Sequence, residues 1–152
     1  MNAIPQLEKT SGMKVGQPFI DVLKAGTQIQ NSLIPAIALC VFKEMLPGKD
    51  VMIAHRIQSA QFVHGLDLHL EETYKILCKE WGISFDDFSS RFHSEEYKTK
   101  AEEEFEMASV WGIRGFPAVI LNRGDMLLAI SNGYTDLTSL EDNFSRAEKY
   151  TT

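Results

Sequence analysis

Residues 112–134 read "GIRGFPAVILNRGDMLLAISNGY": a Gly-Phe-Pro step, an all-apolar run, a short polar turn and a second apolar run. The first run, Ala118 to Leu121, has no polar member, which is the pattern of a strand covered on both faces and lying inside a sheet. With "NRGD" as the turn and Gly124 at its permissive position, residues 118–122 and 126–131 form a β-hairpin. An isolated two-stranded hairpin is marginal in water, so the apolar strand wants a neighbour on each side. The sequence shows only one.

Outward from the hairpin the periodicity is helical. After "NGY", the segment "TDLTSLEDNFSRAEKY" matches a capping box at Thr138 and Glu141, with Leu137, Leu140 and Phe144 as its apolar stripe. Upstream, a helix from about Ser94 to Val110 buries Tyr97, Ala101, Phe105 and Ala108 and turns the Glu-rich "AEEEFE" to solvent. "SFDDF" places Ser84 three residues before Asp87 as a cap, and "LEETYKILCKEWG" spaces Tyr74, Leu77, Cys78 and Trp81 along one helical face before Gly82. Residues 49–64 put Val51, Ala54, Ile57, Gln58, Gln61 and Phe62 on one stripe ended by Gly65. "NSLIPAIALCVFKEML" is a helix capped by Asn31 or Ser32 and closed by Pro47 and Gly48. Before it come one short helix around Phe19 to Leu23 and a helix tail ending at Gly12. The order is helices, two antiparallel strands, then one helix, with no internal repeat and no low-complexity tract.

With 152 residues, 44% apolar and 24% charged, the chain is sized for one domain with a real core. A net charge of -6 argues against nucleic acid and anionic membrane surfaces as partners, because both demand surplus Lys and Arg. No apolar run approaches membrane-spanning length and no basic-then-apolar leader opens "MNAIPQLEKTSG", so the expectation is a cytoplasmic protein with no membrane partner. Cys40 and Cys78 lie far apart and form no Cys-x-x-Cys; a single bridge between them is open from the sequence, but they read first as buried thiols, Cys40 in mid-helix and Cys78 near a helix C-terminus, where the dipole opposes a thiolate. Of the four histidines only His64 and His69 are close, and "HGLDLH" spans a helix stop, so no metal site and no cofactor is expected. No glycine-rich phosphate loop or Ser-His-Asp pattern is present.

"VWGIRGFPAVILNRGDMLLAISNGYTDLTSL" resembles the closing part of the DsbA-like thioredoxin-fold family. "GTQIQNSLIPAIALCVFKEM", "GLDLHLEETYKIL" and "SEEYKTKAEEEFEMASVWGIRGFPAV" resemble the helical insertion that this family sets between the halves of its thioredoxin core. The resemblance covers essentially the whole chain. It implies an α-rich α/β protein, a partial thioredoxin-like fold with a helical insertion at 13–111 followed by a closing β-β-α unit at 112–152. It implies a cis bond before Pro117 and a loop, Gly115, Phe116 and Pro117, whose backbone receives an extended polypeptide, as strand addition does. From the residues alone, Pro117 could equally be a trans proline opening a strand, Phe116 plain core, and Arg114 either an exposed cation or an ion-pair partner.

The departure from the family pattern is chemical. No strand, Cys-x-x-Cys helix and second strand precede these elements, so the residue set lacks both the low-pKa thiolate of exchange chemistry and the strand that would lie beside Ala118 to Asn122. The expectation is a thiol–disulfide oxidoreductase or isomerase relative, inactive in dithiol exchange as this chain stands and truncated relative to the family. Two alternatives stand beside it. One is a noncatalytic module that binds peptide or self-associates as a homo-oligomer through the exposed strand edge near Val119. The other is a glutathione-dependent transferase or isomerase relative.

Overall fold

The computed structural model describes residues 3–29 and 31–149. Seven helices come first: α1 Ala3–Ser11, α2 Gln17–Ala25, α3 Leu33–Met45, α4 Asp50–Phe62, α5 Glu71–Trp81, α6 Phe85–Phe92 and α7 Glu95–Val110. Strands β1 Ala118–Arg123 and β2 Met126–Asn132 and helix α8 Leu137–Lys149 follow. The chain divides into two compact units, residues 1–103 and 104–152, and the division falls within α7 rather than at its glycine stop.

The first unit is built on an aromatic core. Phe42 of α3 stacks on Phe88 of α6 with ring centroids 4.5 Å apart and meets Trp81 edge-on at 4.9 Å. Tyr74 closes the cluster at 5.7 Å from Phe88 and 5.3 Å from Phe92. Such pairs add directional preference to the large area each ring removes from water. Around them Ile37, Val41, Ile53, Leu77 and Cys78 are buried. The helix ends follow local chemistry: Asn31 Oδ1 accepts from the Leu33 N–H at 2.8 Å, Ser84 accepts from Asp87, and Gly82 closes α5 in the left-handed conformation. Tightest is the crossing of the α1–α2 connection over the end of α4. There the Gly16 N–H donates to the Phe62 carbonyl at 2.9 Å, and a Cβ on Gly16 would lie 1.8 Å from the Val63 oxygen.

Three sequence expectations need correction. On α4 the buried residues are Ile53, Ile57 and Ala60, while Val51 is 85% exposed. The predicted stripe is rotated from the core-facing one by part of a turn, because two apolar stripes exist and one faces a cleft. On α7 only Tyr97 and Ala101 are buried; Phe105 is exposed, since the first unit ends where its covering surface does. On α8 the cap is Asp136, whose carboxylate accepts from the Ser139 N–H at 3.0 Å and from its hydroxyl at 2.8 Å, and not Thr138 with Glu141. Leu137 and Phe144 are exposed there, and Ala147 is the buried residue.

The second unit holds the hairpin. Its two-residue turn, Gly124 with φ +65° and Asp125, joins strands paired from Arg123 opposite Met126 to Ala118 opposite Asn132. A bulge between Val119 and Ile120 leaves Ile130 as an extra residue on β2, buried with Ser131. α8 packs on β2, and Asn143 donates to the Ile130 carbonyl at 3.0 Å. β1 has one hydrogen-bonded neighbour among the described residues. It is therefore an edge strand with its faces half covered, not the doubly covered inner strand that its composition suggests.

Candidate functional site

The segment from Gly112 to Ala118 positions the candidate site. Gly112, with φ +72°, ends α7 and redirects the chain, and β1 begins immediately after Pro117. The Phe116–Pro117 peptide bond is cis. The Pro117 carbonyl accepts from the Gly133 N–H at 2.8 Å, tying the loop to the end of β2. Phe116, a ring that could have been core, is 80% exposed, and its own N–H and C=O have no backbone partner among the described residues. Gly115 has open space where a Cβ would stand, and Arg114 is exposed. Exposed Phe116 and Pro117, with half-buried Gly115 before them, thus form one ledge beside an apolar strand whose second edge is unpaired among the described residues. An aromatic ring and unused backbone groups there can hold a polypeptide by strand pairing and apolar contact.

The thiols are placed very differently. Cys40 and Cys78 are both buried in the aromatic core of the first unit. Cys78 is 1% exposed, and burial pushes its thiol up to about 11, away from the thiolate that exchange chemistry uses. Among the described residues no three His, Cys, Asp or Glu side chains gather as a metal would require. His64 and His69 are not brought together into one; instead His69 Nδ1 lies 3.3 Å from Asp67 Oδ1. No helix among the described residues is long and apolar enough to cross a membrane.

A second feature escaped the sequence reading. Between α3 and α4 lies a cleft of about 370 Å³ walled by Asn31, Ser32, Gln58, Gln61 and His69, with an apolar floor that includes Ile57. The signal was the pair of glutamines on the apolar stripe of residues 49–64, which marks a face that meets something other than the core.

No family model and no curated protein matches the sequence. Solved structures do. The chain superposes on a protein from Nitrosomonas europaea assigned as a protein disulfide isomerase with a TM-score of 0.77 and 24% identity, over 82% of this chain and 61% of that one. On the cytosolic disulfide reductase DsbM from Pseudomonas aeruginosa the TM-score is 0.78 at 22% identity, over 99% of this chain and 74% of that one. The DsbM structure with GSH gives 0.74 at 21%, over 96% and 72%. The chain spans 61% to 74% of the length of these proteins. At such identities the likeness is one of fold alone, an α-rich α/β fold shared with these solved structures.

Proposed function

We propose that this chain is a thiol–disulfide oxidoreductase-like protein whose Gly115–Phe116–Pro117 ledge and β1 edge receive an extended polypeptide, and whose 152 residues contribute binding rather than dithiol exchange. The observation that carries this is Phe116: a phenyl ring 80% exposed, next to unused backbone hydrogen-bonding groups and an open strand edge. Leaving such a ring in water wastes apolar burial unless a partner covers it. The names of the fold neighbours, a disulfide reductase and a protein disulfide isomerase, support polypeptide thiols and disulfides as the substrate class, and the cytosolic reductase supports a cytosolic setting. The two thiols present are both buried, and Cys78 is held protonated, so neither supplies the nucleophile.

Two measurements test the reading. In an insulin-reduction assay the chain should match a Cys40→Ser, Cys78→Ser double variant; a rate well above that variant overturns the inactivity. Binding of a fluorescent, reduced and unfolded polypeptide should weaken roughly tenfold in Phe116→Ala, the scale of one buried aromatic anchor at an interface. Equal affinity in both proteins removes the ledge from consideration.

A second reading has its own observation. Val119 is 40% exposed on a strand that is paired on one side only among the described residues and carries no charge before Arg123, so β1 of a second copy is a partner of matching chemistry. The glutathione-dependent alternative gains from the neighbour solved with GSH, and calorimetric titration with reduced glutathione decides it.

A further inference from the structure

We propose that the cleft between α3 and α4 is a binding site for a short, uncharged stretch of peptide backbone. It lies wholly in the first unit and does not rest on the Phe116 ledge.

Its walls carry the argument. Asn31, Gln58 and Gln61 contribute three carboxamides, Ser32 a hydroxyl and His69 an imidazole, and no lysine, arginine, aspartate or glutamate lines the cleft. A carboxamide offers both an acceptor oxygen and two donors, the complement of a peptide group; an ionised ligand would call for opposite charge, which these walls lack. Three of these residues, Asn31, Ser32 and His69, have hydrogen-bonding capacity to spare among the described residues. Asn31 spends its oxygen on the Leu33 N–H and keeps its –NH2, and Ser32, at the head of α3, makes no side-chain capping bond. Asp67 faces His69 Nδ1, which leaves Nε2 as the acceptor, and that nitrogen is buried without a partner among the described residues. The floor, from Pro35, Ala36 and Leu39 to Ala54 and Ile57, suits small aliphatic side chains. At about 370 Å³ the cleft falls at the small end of ligand sites, room for two or three residues rather than a folded partner.

The probe is N-acetyl-trialanine methylamide, titrated into the millimolar range and followed by amide chemical shifts of the whole chain. Saturable shifts are expected at the Asn31, Gln58 and Gln61 side-chain amides and along the facing turns of α3 and α4. Gln58→Leu, at an exposed rim position, should weaken binding by roughly threefold to tenfold, the worth of one hydrogen bond. Ala54→Trp should abolish it by filling the floor, with far-ultraviolet circular dichroism reporting on its fold. Phe116→Ala should leave these shifts unchanged, which separates failure of this site from failure of the ledge. Shifts that stay linear, an unchanged affinity in Gln58→Leu, or tighter binding of doubly carboxylated glutathione than of the neutral probe would each overturn the assignment.

Discussion

Tyr74 and Cys78 show how completely the first unit removes polar atoms from water, and at what residue-level cost. The Tyr74 hydroxyl donates to the Leu68 carbonyl at 2.6 Å inside the core, and burial together with the Asp67 charge raises its pKa. Tyr74→Phe leaves that carbonyl unsatisfied while keeping the ring, so denaturant unfolding should show a loss of roughly 1–3 kcal/mol. A change below about 0.5 kcal/mol would mean that the carbonyl finds another partner. Cys78 has its ordinary thiol pKa of 9.0 displaced to about 11, which cuts the thiolate fraction near neutral pH by about 100-fold. Its reaction with a thiol reagent should therefore be at least that much slower in the native protein than in guanidinium, with unfolding as the limiting event. These two positions were legible in the sequence, because Tyr74, Leu77 and Cys78 fall on one helical face and burial follows from spacing. Phe116 was not, since composition cannot distinguish a ring that is core from one left in solvent.

At the scale of elements, helix existence was readable and helix orientation was not. Gly12, Gly26, Gly65 and Gly82 each adopt positive φ at a helix end, so the punctuation of the chain marks where elements stop. Which stripe of a helix meets the core depends on neighbours distant in sequence: the Ala54–Gln58–Gln61 stripe of α4 lines a cleft, and Ile53 and Ala60 carry the packing. Caps fail for a similar reason. Both Asp136 and Thr138 are capping residues by type, and only the geometry after Gly133 selects Asp136. Asp136→Ala should lower the melting temperature by a few degrees, while Thr138→Ala should leave it within error. Gly16→Ala drives a methyl into the Val63 carbonyl and should destabilise the chain by roughly 2–4 kcal/mol, measured by urea unfolding.

An ion cluster ties three helices of the first unit together. Glu44 of α3 meets Arg91 of α6 at 2.5 Å and Lys100 of α7 at 3.0 Å, and Lys100 also reaches Glu96 at 2.6 Å and sits over the Tyr97 ring. The Tyr97 hydroxyl, Lys100 and Arg91 together hold the Glu44 carboxyl down at about 2, from 4.5. A carboxyl with a depressed folded pKa contributes stability that is fully present above its unfolded value and lost as pH falls toward the folded one. The cluster's contribution should thus be complete above about pH 5 and fade between about pH 4.5 and 2. Comparing the pH profile of unfolding for the parent with Glu44→Gln checks this: the two curves should converge in acid. Parallel curves would assign the acid sensitivity elsewhere.

For the molecule as a whole, the two units differ in how much of their apolar surface is satisfied. The first encloses an aromatic core; in the second, Val110, Phe116, Tyr134 and Leu137 are each more than half exposed, and α8 packs on β2 of the hairpin. Because local opening free energy tracks buried apolar contact, amide exchange in β1 and β2 should be at least about tenfold faster than in α3, α5 and α6. An apolar strand edge in that state is recruited by any strand of matching pattern, and at high concentration the most abundant one is β1 of another copy. Antiparallel pairing of two β1 strands about a two-fold axis would place Val119 and Ile120 of each chain against the other and satisfy both edges at once. Light scattering during size-exclusion chromatography should then give a dimer whose fraction rises with concentration, and β1 exchange should slow in step with it. Val119→Lys places a charge on that edge and should return the chain to a monomer with fast β1 exchange at every concentration. A parent chain that stays monomeric, or a dimer indifferent to Val119→Lys, would leave the strand edge to the polypeptide held by the Phe116 ledge.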